Sequence, residues 1–174
     1  MNYFKKIFIT FLSALILTAV NTSSSFAKVE GDTIVLGAAV SLTGKYSSNG
    51  VHTQNGYNLA VERINSMGGV KVKGKNYKFK IIYYDDESNS GRAAQLAERL
   101  IKQDGVQYML GPYSSGLTKA MAPVTEKYKI PMVEANGASR SLFTKGYKYL
   151  FAVLAPANLY LDVAIDLAVE KKWR

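Results

Sequence analysis

The chain has 174 residues, with 22 lysines and arginines against 13 aspartates and glutamates, a formal charge of +9, and no cysteine. The absence of cysteine excludes disulfides and thiolate metal sites, so stability must come from packing. The length suits one domain with a real core once the first residues are set aside.

Residues 1–27 read as a targeting signal. Lys5 and Lys6 form its basic start, Ile7 to Val20 is apolar apart from Thr10, Ser13 and Thr18, and Ser25-Phe26-Ala27 fits the small-x-small pattern of a cleavage site. The apolar run falls short of the roughly 20 residues that a bilayer-spanning helix needs, which disfavours an uncleaved anchor. The expectation is an exported, soluble protein beginning at Lys28, with no stable membrane insertion after cleavage after Ala27. Its formal charge of +9 drops by two as Lys5 and Lys6 leave.

From there the apolar period switches repeatedly between strand and helix. Thr33 to Val40 is nearly continuous in apolar residues, as a strand buried on both faces should be. Ser41 to Gly50 is polar and reads as a loop. A helix follows with Tyr57, Ala60, Val61 and Ile64 on one stripe, stopped by Gly68-Gly69. Val70 to Tyr84 reads as a hairpin around Gly74-Lys75-Asn76. Its Lys71, Lys73, Lys75, Lys78 and Lys80 alternate with Val72, Tyr77, Phe79 and Ile81, so one face is cationic. With no nucleic-acid motif nearby, this is a solvated face rather than a nucleic-acid site. Asp85-Asp86-Glu87-Ser88-Asn89-Ser90 is a polar turn whose acids and side-chain acceptors suit the start of the next helix, which carries Ala93, Leu96, Ala97, Leu100 and Ile101.

Val106 to Leu110 is the third strand. A helix with Leu117, Ala120, Met121, Val124 and Tyr128 in register follows, and Pro131 precedes the fourth strand, Met132-Val133. Tyr149 to Leu154 reads as a fifth strand. Pro156 opens a last helix with Tyr160, Val163, Ala164, Leu167 and Ala168 on one face. The strand–helix alternation predicts an α/β fold with an open, doubly wound, mostly parallel sheet. Tyr57, Tyr83, Tyr84 and Tyr128 fall at core-facing positions.

Two turns of small and hydroxyl residues stand out: Gly111-Pro112-Tyr113-Ser114-Ser115-Gly116 and Asn136-Gly137-Ala138-Ser139. Each follows a strand, and in open α/β sheets ligands bind at the carboxyl ends of strands. Backbone N–H groups at a helix start, helped by serine hydroxyls, suit a small anion such as a carboxylate. Neither turn holds a charged catalytic group, so the chemistry points to gripping a small molecule.

Taken together, Gly37 to Gly44, Gly56 to Asn65 with Gly68-Gly69, Tyr84 to Ser88, Gly111 to Ser115 and Asn136 to Ser139 resemble the amino-terminal part of a type I periplasmic solute-binding protein. The similarity is to the leucine/isoleucine/valine-binding kind that serves an ABC importer, and it runs from about Ile34 to Trp173. The resemblance implies two lobes closing over a small amino acid or related solute. The chain would supply an incomplete first lobe, residues 28–154, and the start of a second, residues 155–174. It would then be a fragment holding half a site, with the last helix exposing its apolar stripe.

By this resemblance Ser115 hydrogen-bonds the ligand carboxylate, with Tyr113 and Ser114 on the same wall. Gly137, Ala138 and Ser139 belong to a turn whose carbonyl takes the ammonium and whose hydroxyl helps the carboxylate; the alignment slips by one there, so Ala138 and Ser139 compete for the hydroxyl role, and chemistry favours Ser139. Tyr46, Ser47 and Asn49 lie in a loop that touches ligand in relatives. The implied partner is a membrane permease, with no cofactor and no nucleic acid.

Other readings are weaker. An exported α/β hydrolase using Ser115 needs a base, and the only histidine, His52, lies in a polar stretch and is expected to face solvent. A ligand-sensing receptor lobe shares the binding fold. Asp85-Asp86 could be a receiver-like or metal-binding pair, but no EF-hand spacing, Walker loop or Gly-x-Gly-x-x-Gly fingerprint is present.

Overall fold

The computed structural model describes residues 28–173. The expected signal peptide therefore lies outside the described residues.

The strands are β1 (Val29–Glu30), β2 (Thr33–Val40), β3 (Val70–Val72), β4 (Lys75–Asp85), β5 (Met109–Leu110), β6 (Met132–Glu134) and β7 (Leu150–Ala152). The helices are α1 (Ser47–Ser66), α2 (Ser90–Lys102), α3 (Ser115–Tyr128), the short α4 (Arg140–Phe143), a 3-10 turn at Ala157–Leu159, and α5 (Asp162–Glu170). The sheet runs β3-β4-β2-β5-β6-β7, with β1 antiparallel to β2. Only the β3–β4 hairpin is otherwise antiparallel; β4, β2, β5, β6 and β7 pair in parallel. The expected α/β fold is what the chain forms.

Strand parity assigns the two faces. Val35 and Ala39 of β2 join Met109, Met132 and Leu150 in one core with Ala93, Leu96, Ala97 and Leu100 of α2 and Leu117 and Met121 of α3. Each large side chain buried here contributes about 1.5–3 kcal/mol. Gly37 on this face leaves room for Val106, whose Cγ2 would lie 2.9 Å from an added Cβ. The opposite face carries Ile34 and Leu36, paired in register with Phe79 and Ile81. There α1 lies against β4: Asn65 brackets the Phe79 backbone at 2.8 Å, and Tyr83 donates to Asn58 Oδ1 at 2.8 Å. Beyond α1, an apolar groove of about 360 Å³ lies over Ile34, Leu36, Phe79, Leu110 and Val133.

Several element ends depart from the sequence reading. The hairpin turns on Lys73-Gly74, with φ of 49° and 85°, because Val72 pairs with Lys75; a two-residue turn with both φ positive matches the twist of the strands. Helix α1 begins at Ser47, inside the expected loop. Val106 is buried but precedes the strand proper, since β5 pairs only through Met109 and Leu110. Beyond β7 the chain is exposed as expected, with Val163 at 80 % and Val169 at 72 %.

Candidate ligand cleft

The parallel strands stand in the order β4-β2-β5-β6-β7, so the chain turns outward from β2 to β4 and returns on the other side at β5. The loops after β2 and β5 leave in opposite directions, which opens a crevice at the carboxyl ends of the strands.

The loop after β2 is held by the acids after β4. Asp85 Oδ1 accepts from the Leu42 and Thr43 N–H groups at 2.9 and 3.2 Å, and its Oδ2 accepts from the Thr43 hydroxyl at 2.7 Å. Asp86 Oδ1 accepts from the Ser41 hydroxyl at 2.6 Å and the Ser88 N–H at 2.8 Å. Of this turn's acceptors it is Asn89 that caps α2, accepting from Arg92 N at 2.9 Å; neither acid serves the helix start as expected, and its first turn holds no acid. The cause is simple: three donors from the loop after β2 and the Glu87 N–H of its own turn already satisfy Asp85. Burial pushes the Asp85 carboxyl up, but these hydrogen bonds outweigh it and leave it below the ordinary range. Burial wins at Asp86 and raises it.

The loop so fixed launches α1 from Tyr46, whose ring meets that of Tyr113 edge-on at 5.6 Å. Asn49, His52, Thr53 and Gly56 then recur at i, i+3, i+4 and i+7, a polar and small stripe on one side of the helix. With Tyr57, Tyr113, Ala135 and Asn136, this stripe encloses a cavity of about 400 Å³. The Tyr57 hydroxyl donates to the Gly111 carbonyl at 2.8 Å. Burial, with Glu134 and Tyr83 nearby, raises its pKa.

The turn after β5 ends at Ser114, the N-cap of α3, held at φ 81°. A non-glycine residue there costs on the order of 1–3 kcal/mol and persists only when its surroundings hold it. Here the Ser114 carbonyl accepts from Thr118 N at 3.1 Å and Thr118 Oγ1 at 2.9 Å, while its hydroxyl accepts from Leu117 N at 3.4 Å. The Ser115 and Gly116 N–H groups have no acceptor among the described residues. They are the uncapped donors of a helix start, suited to an anion.

The turn after β6 is seated on Glu134, which is fully buried. Its Oε1 accepts from Asn136 N at 2.5 Å and Gly137 N at 2.6 Å. One residue further on, Ala138 O accepts from Ala157 N at 2.8 Å, and Ser139 N donates to Ser115 Oγ at 3.0 Å. The two turns are thereby joined. Ser115 accepts at its oxygen and keeps its own proton free among the described residues. The Ser139 hydroxyl lies 2.9 Å from that of Ser141.

Thus Ser114, Ser115, Gly137, Ala138 and Ser139 form one connected patch, and Tyr113 and Asn49 line the cavity beside it. Tyr46 sits behind Tyr113. The sequence reading assigned no cleft role to four of the cavity's lining residues, Thr53, Gly56, Tyr57 and Ala135, nor to Glu134, and held Asn136 only as the first residue of the second turn. Tyr57, expected in the core, borders the cavity; Tyr84 and Tyr128 do pack on the core. His52 is exposed as expected, but on the cleft side of α1. No group of three or more metal-ligating side chains occurs among the described residues.

Known proteins are similar to this chain. The periplasmic binding protein family matches residues 33–173. A Pseudomonas aeruginosa protein named for binding leucine, isoleucine, valine, threonine and alanine is 26 % identical over 140 residues, which cover 80 % of this chain and 36 % of that one. The LivJ substrate-binding protein of Streptococcus pneumoniae, solved with isoleucine, superposes with a TM-score of 0.64 at 28 % identity, covering 75 % of this chain and 38 % of the other. A solute-binding protein from R. palustris, solved with 4-hydroxybenzoate, gives 0.66 at 29 % identity, covering 80 % of this chain and 36 % of the other. The chain thus spans between a third and two fifths of the length of these relatives. With the match running through both joined turns and the strands that carry them, the chain belongs to the periplasmic binding protein family.

Proposed function

We propose that this chain supplies the first-lobe half of a solute cleft in an exported, periplasmic component of an ABC importer. The solute is a small amino acid or a related carboxylate. The observation that carries this reading is the union of the two turns through Ser115 and Ser139 at 3.0 Å, beside a cavity of about 400 Å³. Free N–H groups of Ser115 and Gly116 and the Ser115 proton would meet the carboxylate. Relatives named for aliphatic amino acids and solved with isoleucine or 4-hydroxybenzoate support a carboxylate as the shared feature.

In this reading residues 1–27 are the cleaved signal, residues 28–154 the first lobe and residues 155–174 the start of the second, and the partner is the importer's permease. Among the described residues no helix is long and apolar enough to cross a membrane. Ser115 is a binding group and no nucleophile: the contact at its oxygen is the Ser139 N–H, a donor that cannot take its proton.

Calorimetric titration of the intact protein that carries this chain, with leucine, isoleucine and 4-hydroxybenzoate, tests the proposal. Saturable binding of at least one, weakened by S115A, supports it. No binding of any of the three, or turnover of an ester that S115A abolishes, overturns it.

A further inference from the structure

Glu134 sits where both turns meet, and nothing in the solute-binding reading uses it. Its side chain is fully buried, and no lysine, arginine or histidine among the described residues forms an ion pair with it. A lone ionised carboxylate in such a place is strongly disfavoured. Each element around it presents a defined group. From α3, Thr118 Oγ1 lies 2.6 Å from Glu134 Oε2. From the following turn, Asn136 and Gly137 N–H groups point at Oε1. From β5, Gly111 comes so close that an added Cβ would lie 2.1 Å from Oε2. From α1, Tyr57 is the titratable group that faces it.

The proton count at Thr118 favours the neutral form, although the Ser114 carbonyl also accepts from Thr118 N at 3.1 Å. Its hydroxyl carries one proton but stands near two acceptors, Glu134 Oε2 at 2.6 Å and the Ser114 carbonyl at 2.9 Å. With an ionised Glu134, that proton can serve only one of them well. With a proton on Oε2, every position is filled. Oε2–H donates to Thr118 Oγ1, Thr118 donates to the Ser114 carbonyl, and Oε1 accepts from Asn136 and Gly137. We infer that Glu134 is a positioning residue that, as a neutral carboxylic acid, ties the Asn136–Ser139 turn to the strained Ser114 turn. The chain of bonds runs from the Gly137 N–H through Glu134 and Thr118 to the Ser114 carbonyl, which holds the backbone on which the free Ser115 and Gly116 N–H groups sit. Neutrality also keeps a negative charge from lying beneath a site for an anion. Burial raises the Glu134 pKa and outweighs the hydrogen bonds from Thr118 and the Asn136, Gly137 and Ala135 N–H groups, which lower it, in agreement with this form.

The inference extends the solute-binding reading, and its test works without a solute. Infrared spectra of the intact protein at about pH 6, where ordinary carboxylates are ionised, should show the carbonyl stretch of a protonated carboxyl. E134Q should remove that band and D86N should leave it, since Asp86 is the other buried acid. Glutamine keeps the neutral acid's pattern, with its amide N–H₂ toward Thr118 and its carbonyl toward Asn136 and Gly137. E134Q should therefore keep the thermal midpoint, whereas E134A should lose several degrees. A solute that binds the wild type, such as isoleucine, should keep its affinity in E134Q within about twofold and lose roughly tenfold in E134A, as expected when buried donors lose their acceptor. An unchanged band in E134Q, or an E134Q protein as damaged as E134A or unable to fold, overturns the inference. If none of the three solutes binds the wild type, the proposed function fails and the infrared result still decides the state of Glu134.

Discussion

The backbone N–H of Ser139 donates to the hydroxyl of Ser115 at 3.0 Å, across 24 residues of chain. In the proposed cleft one side chain would thus have two tasks: its oxygen anchors the far turn, and its proton would meet a ligand. Removing the hydroxyl should hurt both, unequally. In S115A the Ser139 N–H loses an acceptor at a half-buried site, and the ligand loses a donor, each worth about 1–3 kcal/mol when left unmet. We expect carboxylate affinity in the intact protein to fall roughly ten- to a hundredfold, with a drop of only a few degrees in thermal midpoint. Calorimetry and thermal unfolding check the pair; full affinity in S115A would remove Ser115 from the site.

Two neighbouring positions should respond to substitution with opposite signs. At Gly111 an added Cβ would meet Glu134 Oε2 at 2.1 Å and Glu134 Cα at 3.0 Å. The second contact is backbone and cannot swing away, so G111A should destabilise by about 1–3 kcal/mol or more. At Ser114 the φ of 81° is one that a Cβ opposes. S114G relieves that strain, about 1–3 kcal/mol, and gives up only a few tenths as an N-cap. S114G should therefore raise the midpoint that G111A lowers. Denaturant unfolding of both variants measures this; a destabilised S114G would mean that the Ser114 conformation carries no strain.

What the sequence disclosed, and what it hid, follows from the kind of contact involved. The strand–helix alternation was legible because a strand covered on both faces, such as Thr33–Val40, must be apolar along its length, and because glycines mark turns where a side chain would not fit. Both turns proposed for the cleft stand out in the sequence for the same reason. Glu134 was not, since the groups that satisfy it are two backbone N–H groups and a threonine 16 residues away, and backbone donors leave no mark in a sequence. The acids Asp85 and Asp86 were visible, but their partners 41–43 belong to a different strand end, so sequence proximity to α2 misled. The cleft stripe of α1 could have been found: 49, 52, 53 and 56 repeat with helical period, yet a polar stripe ordinarily means solvent.

His52 tests that stripe. It is exposed, so its packing contributes little, yet it lines the cavity with Asn49 and Thr53. H52A should leave stability within about 0.5 kcal/mol, as surface changes do, while weakening solute binding several-fold. Affinity and thermal midpoint measured on the same preparation separate the two effects. A lowered midpoint with unchanged affinity would make His52 a structural residue.

Asp85 and Asp86 are adjacent in sequence and should show opposite pH signatures. Asp86 is fully buried, its Oδ2 has no hydrogen-bond partner among the described residues, and burial raises its pKa in the fold. The folded state then holds a proton that the unfolded state releases, so the contribution of Asp86 is present below about pH 3.9, the ordinary aspartate value, and is lost as pH rises through its raised folded value. Asp85 runs the other way. Burial pushes it up, but the hydrogen bonds from Thr43, Glu87 and Leu42 leave its pKa lowered overall. Its contribution is present above about pH 3.9 and is lost as pH falls through the lowered folded value. In D85N one oxygen becomes a donor facing donors, so the variant should trail the wild type at neutral pH and approach it in acid. In D86N the oxygen that changes is the one without a partner, so Ser41 and Ser88 keep their acceptor. D86N should trail only in acid and match or exceed the wild type at neutral pH. Thermal midpoints of the three proteins across acid and neutral pH settle the signs. Parallel curves for D86N and the wild type would mean that Asp86 ionises in the fold as it does in the unfolded chain.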